Sequence, residues 1–143
     1  DAARLVDLCS GVGLFAGTVG EGRQVVGVER SAAAVADARV NLADHRDLRI
    51  IKVALARWRP SPAEVVVADP ARSGLGADGV AAVAATGAGL CVLVSCDPGA
   101  LGRDAALLLS AGFAHVGSTV VDLFGHAGHV EVVSGFVRAD GAG

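Results

Sequence analysis

Short valine-rich runs alternate along this chain with longer alanine-rich stretches, and the two patterns predict different elements. A run of a few apolar, β-branched residues is typical of a buried strand, whereas an alanine-rich stretch bounded by Ser, Asp, Pro or Gly is typical of a helix. The pattern predicts strands at residues 4–8, 24–29, 48–53, 64–68, 90–95, 114–123 and 129–137. It predicts helices at 14–19, 32–43, 79–86 and 98–110.

This alternation indicates an α/β fold of the Rossmann-like type. Strands that alternate with helices form a mostly parallel sheet with helices on both faces. The last two predicted strands have no helix between them, so we expect them to form an antiparallel pair at one edge of the sheet. No repeat or low-complexity linker interrupts the pattern, and a single domain over 1–143 is expected.

The charge composition limits the kinds of partner that this chain is expected to bind by itself. The net charge is -3, and arginine carries nearly all of the positive charge, so bulk electrostatics do not favour nucleic-acid binding. If RNA is the substrate, most of the affinity for phosphate is expected to lie outside this chain. The chain has no methionine and begins almost directly on a strand, so we expect it to be part of a longer protein.

The three cysteines are Cys9, Cys91 and Cys96, an odd number without CxxC spacing. A disulfide framework or a metal site is therefore not expected, and a reducing cytoplasm is the expected location. Cys9 and Cys91 are interpreted as small buried apolar residues. No apolar run is long enough to predict a membrane span, so no membrane partner is expected.

Residues able to bind a ligand follow the predicted strands at their carboxyl ends, where open α/β sheets bind ligands. Gly11 and Gly13 permit a tight turn and a close approach of a ligand to the backbone. Glu29 ends the second strand, where its carboxylate can accept hydrogen bonds from ribose hydroxyls. This pattern fits a dinucleotide or S-adenosylmethionine. Asp7 and the turn at 69–72 favour S-adenosylmethionine.

Cys96 lies where the fifth predicted strand ends and a helix begins, and Pro98 suits the first turn of that helix. Amide dipoles at a helix start favour an anion, which makes Cys96 a candidate nucleophile. Glu131, in the last predicted strand, is a candidate base, although an isolated glutamate there is more often an exposed strand residue.

Four motifs resemble those of the RNA 5-methyluridine methyltransferases, which act on uridine in the tRNA T-loop and in 23S ribosomal RNA. They are Asp69-Pro70-Ala71-Arg72-Ser73-Gly74, Val94-Ser95-Cys96-Asp97-Pro98, Arg103-Asp104 and Asp122-Leu123-Phe124…His126…His129-Val130-Glu131. The resemblance extends from the first strand to about Val137. It implies the catalytic domain alone, a class I methyltransferase sheet, S-adenosylmethionine as cofactor and an RNA substrate, either tRNA or rRNA.

The resemblance also implies residue roles. Cys96 would add to carbon 6 of uracil, and Glu131 would remove the proton from carbon 5. Asp69 would orient the uracil or contact the cofactor. Arg72 would pair with a phosphate or, structurally, with Asp69 or Asp97. The cofactor would be bound by Asp7, Cys9, Gly11, Gly13, Leu14, Glu29 and Asp69.

The last motif contains two histidines. His126 and His129 would shape the loop before Glu131 or touch RNA, and as a pair they lack the third ligand of a metal site. Full-length members of the family carry N-terminal RNA-binding parts. RNA is therefore expected to be held mainly by parts outside this chain, with no metal in this domain.

Other interpretations stay open. The domain could methylate a small molecule or a protein, with Cys96 merely structural. It could instead be a non-catalytic binding module, since 52–55 lacks the Asn or Asp that family members often carry after the third strand. A nicotinamide-dependent reductase would explain neither Cys96 nor Glu131. Trp58 either stacks on a base or, as we expect, covers the sheet edge, and Asn41 is expected to cap its helix.

Overall fold

The computed structural model describes residues 3–123, 125–126 and 129–139. Its strands are β1 (Arg4–Leu8), β2 (Gln24–Glu29), β3 (Leu48–Lys52), β4 (Val65–Ala68), β5 (Leu90–Ser95), β6 (Phe113–Val121) and β7 (Glu131–Arg138). Its helices are α1 (Leu14–Thr18), α2 (Ala32–Asn41), α3 (Gly76–Ala85) and α4 (Pro98–Ser110), with one 3-10 turn at Leu55–Arg57. The predicted order of strands and helices is confirmed.

All seven strands belong to one sheet, in the order β3-β2-β1-β4-β5-β7-β6. The first five are parallel, and β7 runs antiparallel to both of its neighbours, β5 and β6. The chain moves outward from β1 to β3 and then returns to the other side of β1 with β4. The strand order therefore reverses between β1 and β4, which is where open α/β sheets bind ligands at the carboxyl ends of their strands.

Apolar side chains cover both faces of the sheet. The larger cluster lies under α3 and α4 and contains Leu8, Leu93 and Phe136. The smaller cluster lies under α1 and α2 and contains Leu5 and Val67. Leu5 and Leu8 lie on opposite faces because successive side chains of a strand alternate. Each fully buried large side chain contributes roughly 1.5–3 kcal/mol to folding.

Three details differ from the prediction or refine it. Helix α3 begins at Gly76, three residues before the predicted start. Strand β7 is inserted between β5 and β6, so that β6 alone forms that edge of the sheet. Trp58 is 8% exposed and packs in the larger cluster, which confirms the packing interpretation. In the part of the chain that the model describes, no helix has the length and apolar character to cross a membrane.

Candidate active site

The turn after β1 is built around two glycines with different requirements. Gly11 and Gly13 have φ of 52° and 92°, in the left-handed region. A Cβ at Gly13 would overlap Cδ1 of Leu42, so that packing as well as conformation requires glycine there. A Cβ at Gly11 would meet none of the described residues within 4 Å. The backbone at Gly11 therefore faces open space that a ligand can enter.

Glu29 holds this turn from the end of β2. Its Oε2 accepts a hydrogen bond from the Gly11 N–H at 3.0 Å, and its Oε1 accepts one from the Ser31 N–H at 2.7 Å. Each carboxylate oxygen has a second lone pair, so Glu29 can still accept a hydrogen bond from a hydroxyl group. Asn41 does not cap its helix as expected: its Nδ2 donates to the Val12 carbonyl at 3.0 Å and ties α2 to the turn.

Asp7 is fully buried beneath the turn, with 0% of its surface exposed. Its Oδ2 accepts a hydrogen bond from the Ala16 N–H at 2.9 Å, while its Oδ1 has no partner among the described residues. Burial raises the pKa of Asp7 to about 7; the bond from Ala16 opposes this rise, and the charges of Asp69 and Glu29 add to it. Asp7 therefore holds its proton to a much higher pH than an ordinary aspartic acid does.

The two cysteines interpreted as apolar occupy different surroundings. Cys91 is fully buried, and burial raises its pKa to about 12, as the interpretation requires. Cys9 is only half-buried and adopts a left-handed φ of 61°, so the interpretation is too simple for it. Burial, followed by the charges of Glu29, Asp7 and Asp69, raises the pKa of Cys9 to about 11. Both residues remain thiols at neutral pH.

The pairing of β5 with β7 determines where Cys96 and Glu131 lie relative to each other. The last pair of this antiparallel ladder is Ser95 with Val132. Cys96 comes directly after Ser95, and Glu131 comes directly before Val132, so both lie at the same level on neighbouring backbones about 5 Å apart. Both side chains are partly exposed. The structure thus brings the candidate nucleophile and the candidate base to one place.

Asp97 fixes the backbone next to Cys96. Its Oδ1 accepts a hydrogen bond from the Ala100 N–H at 2.7 Å, and Pro98 occupies the first position of α4. A side-chain cap of this kind stabilises a helix start by about 1 kcal/mol. Asp97 therefore helps to define where the chain leaves β5 and turns into the helix.

Asp69 lies between the glycine turn and the Cys96–Glu131 pair. It follows β4, and its N–H donates to the Leu8 carbonyl at 3.3 Å. Burial raises the pKa of Asp69, and the charge of Glu131 raises it further. The charge of Asp69 in turn acts on Asp7 and Cys9. The carboxyl edge of the sheet thus carries several acidic groups, which favour a ligand with positive charge.

Arg72 meets the loop before β7. Its Nη2 lies 3.5 Å from Nε2 of His129, and no ion pair joins it to Asp69 or Asp97 in the described part of the chain. Neither of the two ion pairs expected as structural alternatives for Arg72 is present among the described residues. His126 is exposed in a turn, whereas residues 124, 127 and 128 of the same motif lie outside the described residues. Leu14 is exposed at the start of α1, next to the glycine turn.

The sequence motifs contain Asp104 without indicating what it does. Asp104 is 1% exposed, and its two oxygens accept hydrogen bonds from the N–H groups of Leu75 and Gly76 at 2.7 and 2.9 Å. It caps α3, which has no side-chain cap of its own. An acidic residue on the buried face of a helix was the available signal. Residues 3–123, 125–126 and 129–139 contain no group of three or more His, Cys, Asp or Glu arranged to hold a metal.

Curated relatives give this geometry a context. No family model matches the chain. It is 38% identical over 137 residues to an uncharacterized RNA methyltransferase of Streptomyces coelicolor, covering 90% of this chain and 30% of that protein. It is 33% identical over 149 residues to the 23S rRNA (uracil(1939)-C(5))-methyltransferase RlmD of Yersinia enterocolitica, covering 96% and 33%. The chain spans about a third of the length of the curated relatives it matches.

A solved structure agrees with these relatives. The tRNA (uracil-54, C5)-methyltransferase of Pyrococcus abyssi, in complex with S-adenosyl-L-homocysteine, superimposes with a TM-score of 0.85 at 27% identity, over 96% of this chain and 35% of that one. By sequence and fold, the chain is related to the RNA uracil-C5 methyltransferases. The resemblance drawn from the four motifs is confirmed, and so is the class I methyltransferase sheet. A putative RNA methyltransferase of Pyrococcus horikoshii, with a TM-score of 0.81 at 13% identity over 98% of this chain and 76% of that one, shares the fold.

Proposed function

We propose that this chain is the methyl-transferring part of an enzyme that forms 5-methyluridine in tRNA or ribosomal RNA with S-adenosylmethionine. The observation that carries the proposal is the β5–β7 register, which puts Cys96 and Glu131 at one level beside Asp69. The related RlmD protein is named for uracil-C5 chemistry on 23S rRNA, and the Pyrococcus abyssi enzyme for the same chemistry on tRNA.

The residues at the carboxyl edge fit S-adenosylmethionine, which when bound supplies the methyl group. The open backbone at Gly11 gives a ligand room to lie against the turn. Glu29 has lone pairs left for ribose hydroxyls. Asp7 keeps a buried oxygen below this position that has no partner among the described residues, and Asp69 adds negative charge beside it, which suits a cationic ligand. Cys9, Gly13 and Leu14 complete the proposed cofactor-binding set.

Cys96 would start the reaction, because carbon 5 of uracil is a weak nucleophile on its own. The thiolate of Cys96 forms a bond to carbon 6, and the electron pair displaced from the double bond makes an enolate that is nucleophilic at carbon 5. After carbon 5 has been methylated, Glu131 accepts its proton. The electron pair left behind restores the double bond and expels the Cys96 thiolate, which regenerates the enzyme.

Asp69 and Arg72 would position the uracil and its nucleotide. Partial burial and the charge of Glu131 raise the pKa of Asp69, and its carboxyl group would form a hydrogen bond with the base. Arg72, next to His129, would contact a phosphate, and the exposed His126 would touch the RNA nearby. The target uridine would have to leave its stack to reach this edge.

RNA that carries 5-fluorouridine tests the covalent step. Fluorine at carbon 5 cannot be removed as a proton, so the adduct with Cys96 should accumulate and run as a protein–RNA species on a denaturing gel. Cys96→Ala should abolish this species, and Cys91→Ala, at a cysteine buried away from the site, should retain it. Glu131→Gln should accumulate the same adduct with ordinary uridine. An adduct that persists in Cys96→Ala would refute the assignment of the nucleophile.

A second reading, methyl transfer to a substrate other than RNA, makes a different prediction. Turnover that survives Cys96→Ala would support it, because methylation of a good nucleophile needs no cysteine adduct. Absence of heat on titration with S-adenosylmethionine would instead favour a non-catalytic module. The expectation that RNA is held mainly by parts outside this chain stays a prediction.

A further inference from the structure

Positive charge is concentrated in one part of this acidic chain. Residues 44–59 contain five cationic side chains, Arg46, Arg49, Lys52, Arg57 and Arg59, and two aspartates. This segment therefore carries a net charge of +3. The remaining residues carry -6, because the whole chain carries -3. The overall charge hides a local basic surface on and around the edge strand β3.

Four of these residues line two adjacent clefts. The first has a volume of about 420 Å³, lies at the amino ends of β1, β2 and β3, and has Arg4, Arg46, Arg49 and one acidic residue, Asp47, in its wall. The second has a volume of about 330 Å³ and is lined by Arg49, Arg57 and Arg59, and none of the described residues in its wall is acidic. Arg49 belongs to both clefts. We call Arg46, Arg49, Arg57 and Arg59 the arginine surface.

The guanidinium groups of the arginine surface are available to a ligand. All four side chains are exposed. The ion pair found within the described ranges joins Arg4 to Glu64, so none of the four has a carboxylate within 4.0 Å there. Ser61 lines both clefts, and its buried Oγ has no hydrogen-bond partner among the described residues. The clefts thus combine unpaired cations with an unused hydroxyl donor.

Trp58 explains how two of these arginines are presented. Trp58 lies between Arg57 and Arg59 in the sequence, and its side chain is buried in the larger apolar cluster. Its backbone is extended, at φ -70° and ψ 139°, so that its neighbours point away from the core. Trp58 also lines the second cleft, but only 8% of its surface is exposed, so its ring does not offer a face on which a base could stack. The surface therefore offers charge to a backbone of phosphates and no platform for reading bases.

We propose that the arginine surface binds the phosphodiester backbone of RNA, away from the nucleotide that enters the site. The choice of RNA rests on the proposed function. Guanidinium groups bind phosphate oxygens through paired hydrogen bonds, which favours phosphates over other anions. The first cleft lies at the amino ends of the parallel strands, and the second extends along β3 as far as Val53. Cys96 and Glu131 lie at the opposite edge of the sheet, where the parallel strands end. One RNA molecule bound at both places would extend around the β3 edge of the sheet.

Binding of a fluorescent RNA hairpin, followed by anisotropy over a range of salt concentrations, tests this inference. The triple variant Arg49→Glu, Arg57→Glu, Arg59→Glu should weaken binding at low salt by about tenfold or more. The slope of log affinity against log salt should fall by roughly 1 for each phosphate contact that is lost. The corresponding arginine-to-glutamine triple variant, which is gentler on folding, should lose the same contacts with a smaller effect.

Arg39→Glu is the matched control, because Arg39 is exposed on α2 and lies outside both clefts. It should weaken binding much less than even one of the substitutions on the arginine surface. An equal loss of RNA affinity in Arg39→Glu and in the single variant Arg49→Glu would overturn the inference. Unchanged RNA affinity in the triple variants would overturn it as well. Displacement of the RNA by poly-glutamate as effectively as by unlabelled RNA would also overturn it, in favour of a general anion surface.

The Cys96 adduct separates this inference from the proposed function. Loss of RNA affinity in the triple variants, in a chain that never forms an adduct with 5-fluorouridine RNA, would support the arginine surface and refute the proposed reaction. Adduct formation with 5-fluorouridine RNA, together with undiminished RNA affinity in the triple variants, would support the proposed reaction and refute the role of the arginine surface. Titration with S-adenosylmethionine should give the same heat in the triple variants as in the unchanged chain.

Discussion

The carboxylate of Asp104 accepts a hydrogen bond from the Leu75 N–H at 2.7 Å, from one helix to the start of another. Asp104 belongs to α4, which begins just beyond Cys96, and Leu75 precedes α3, just beyond the turn that carries Asp69 and Arg72. The two loops that hold the proposed nucleophile and the proposed uracil contacts are therefore tied together by one buried side chain. Gly74 has to be glycine here, because a Cβ would overlap Oδ2 of Asp104.

Asp104→Asn should destabilise the chain by about 2–3 kcal/mol, because an amide oxygen can replace only one of the two acceptors and its NH₂ group would face a backbone donor. Urea unfolding measures this loss. Asp78→Asn is the matched control on the exposed first turn of α3, and its cost should stay below about 1 kcal/mol. Similar losses in the two variants would contradict the capping role of Asp104.

The two glycines of the turn after β1 should respond differently to alanine. Gly13→Ala combines an unfavourable φ with overlap against Leu42, so its main effect should be a loss of stability well above 1 kcal/mol. Gly11→Ala carries the conformational cost of about 1 kcal/mol alone, and its new methyl group should reduce affinity for S-adenosylmethionine. Thermal unfolding and calorimetry together distinguish the two. A larger stability loss at Gly11 than at Gly13 would contradict the packing described here.

Asp7 should make stability depend on pH. Its pKa is about 7 in the folded chain and 3.8 in the ordinary state, so the folded chain holds the proton more tightly. The contribution of protonated Asp7 to the free energy of unfolding is fully present below pH 3.8. As the pH rises to about 7, this contribution is lost, and the free energy of unfolding falls by up to about 4 kcal/mol. Asp7→Asn cannot ionise, so its stability should fall less over this range. Urea unfolding at several pH values compares the two chains, and parallel curves would show that Asp7 is not the group responsible.

The three thiols should react with iodoacetamide in a defined order. Cys96 is partly exposed and should be labelled first. Cys9 should react slowly at neutral pH, because its pKa of about 11 keeps it a thiol, and Cys91 should be protected by burial until the chain unfolds. Mass spectrometry of the peptides gives the order. Faster labelling of Cys9 than of Cys96 would mean that burial and the neighbouring carboxylates do not raise the pKa of Cys9 as described.

Local sequence was sufficient where an element carries its own boundary signals. Strand β5 ends where the apolar run ends at Ser95, and α4 begins at Pro98 and stops before Gly112, so both were predicted with their observed bounds. The start of α3 was not, because its cap comes from Asp104, which is distant in sequence. The insertion of β7 between β5 and β6 was also not predictable, since the length and pattern of a strand do not specify its neighbours.

The same distinction applies to the candidate site. That Cys96 lies at the carboxyl edge followed from the end of its strand. The burial of Asp7 and the bond from Gly11 to Glu29 depend on how α1 and β2 pack around the turn, which composition does not reveal. Net charge was the least informative quantity, because it averages the basic segment around β3 with acidic residues elsewhere.

The reversed direction of β7 has a consequence for the order in which the chain becomes competent. Cys96, Asp69 and the glycine turn are all in place once β1 to β5 have assembled with their helices. Glu131 arrives only when β7 pairs with β5, a contact that closes a long loop and is expected to form late. A chain arrested before that step would hold the proposed nucleophile without the proposed base. In the proposed reaction, such an intermediate would form the adduct and methylate carbon 5, but nothing would remove the carbon 5 proton. The methylated product would therefore stay bound to Cys96 until the sheet is complete.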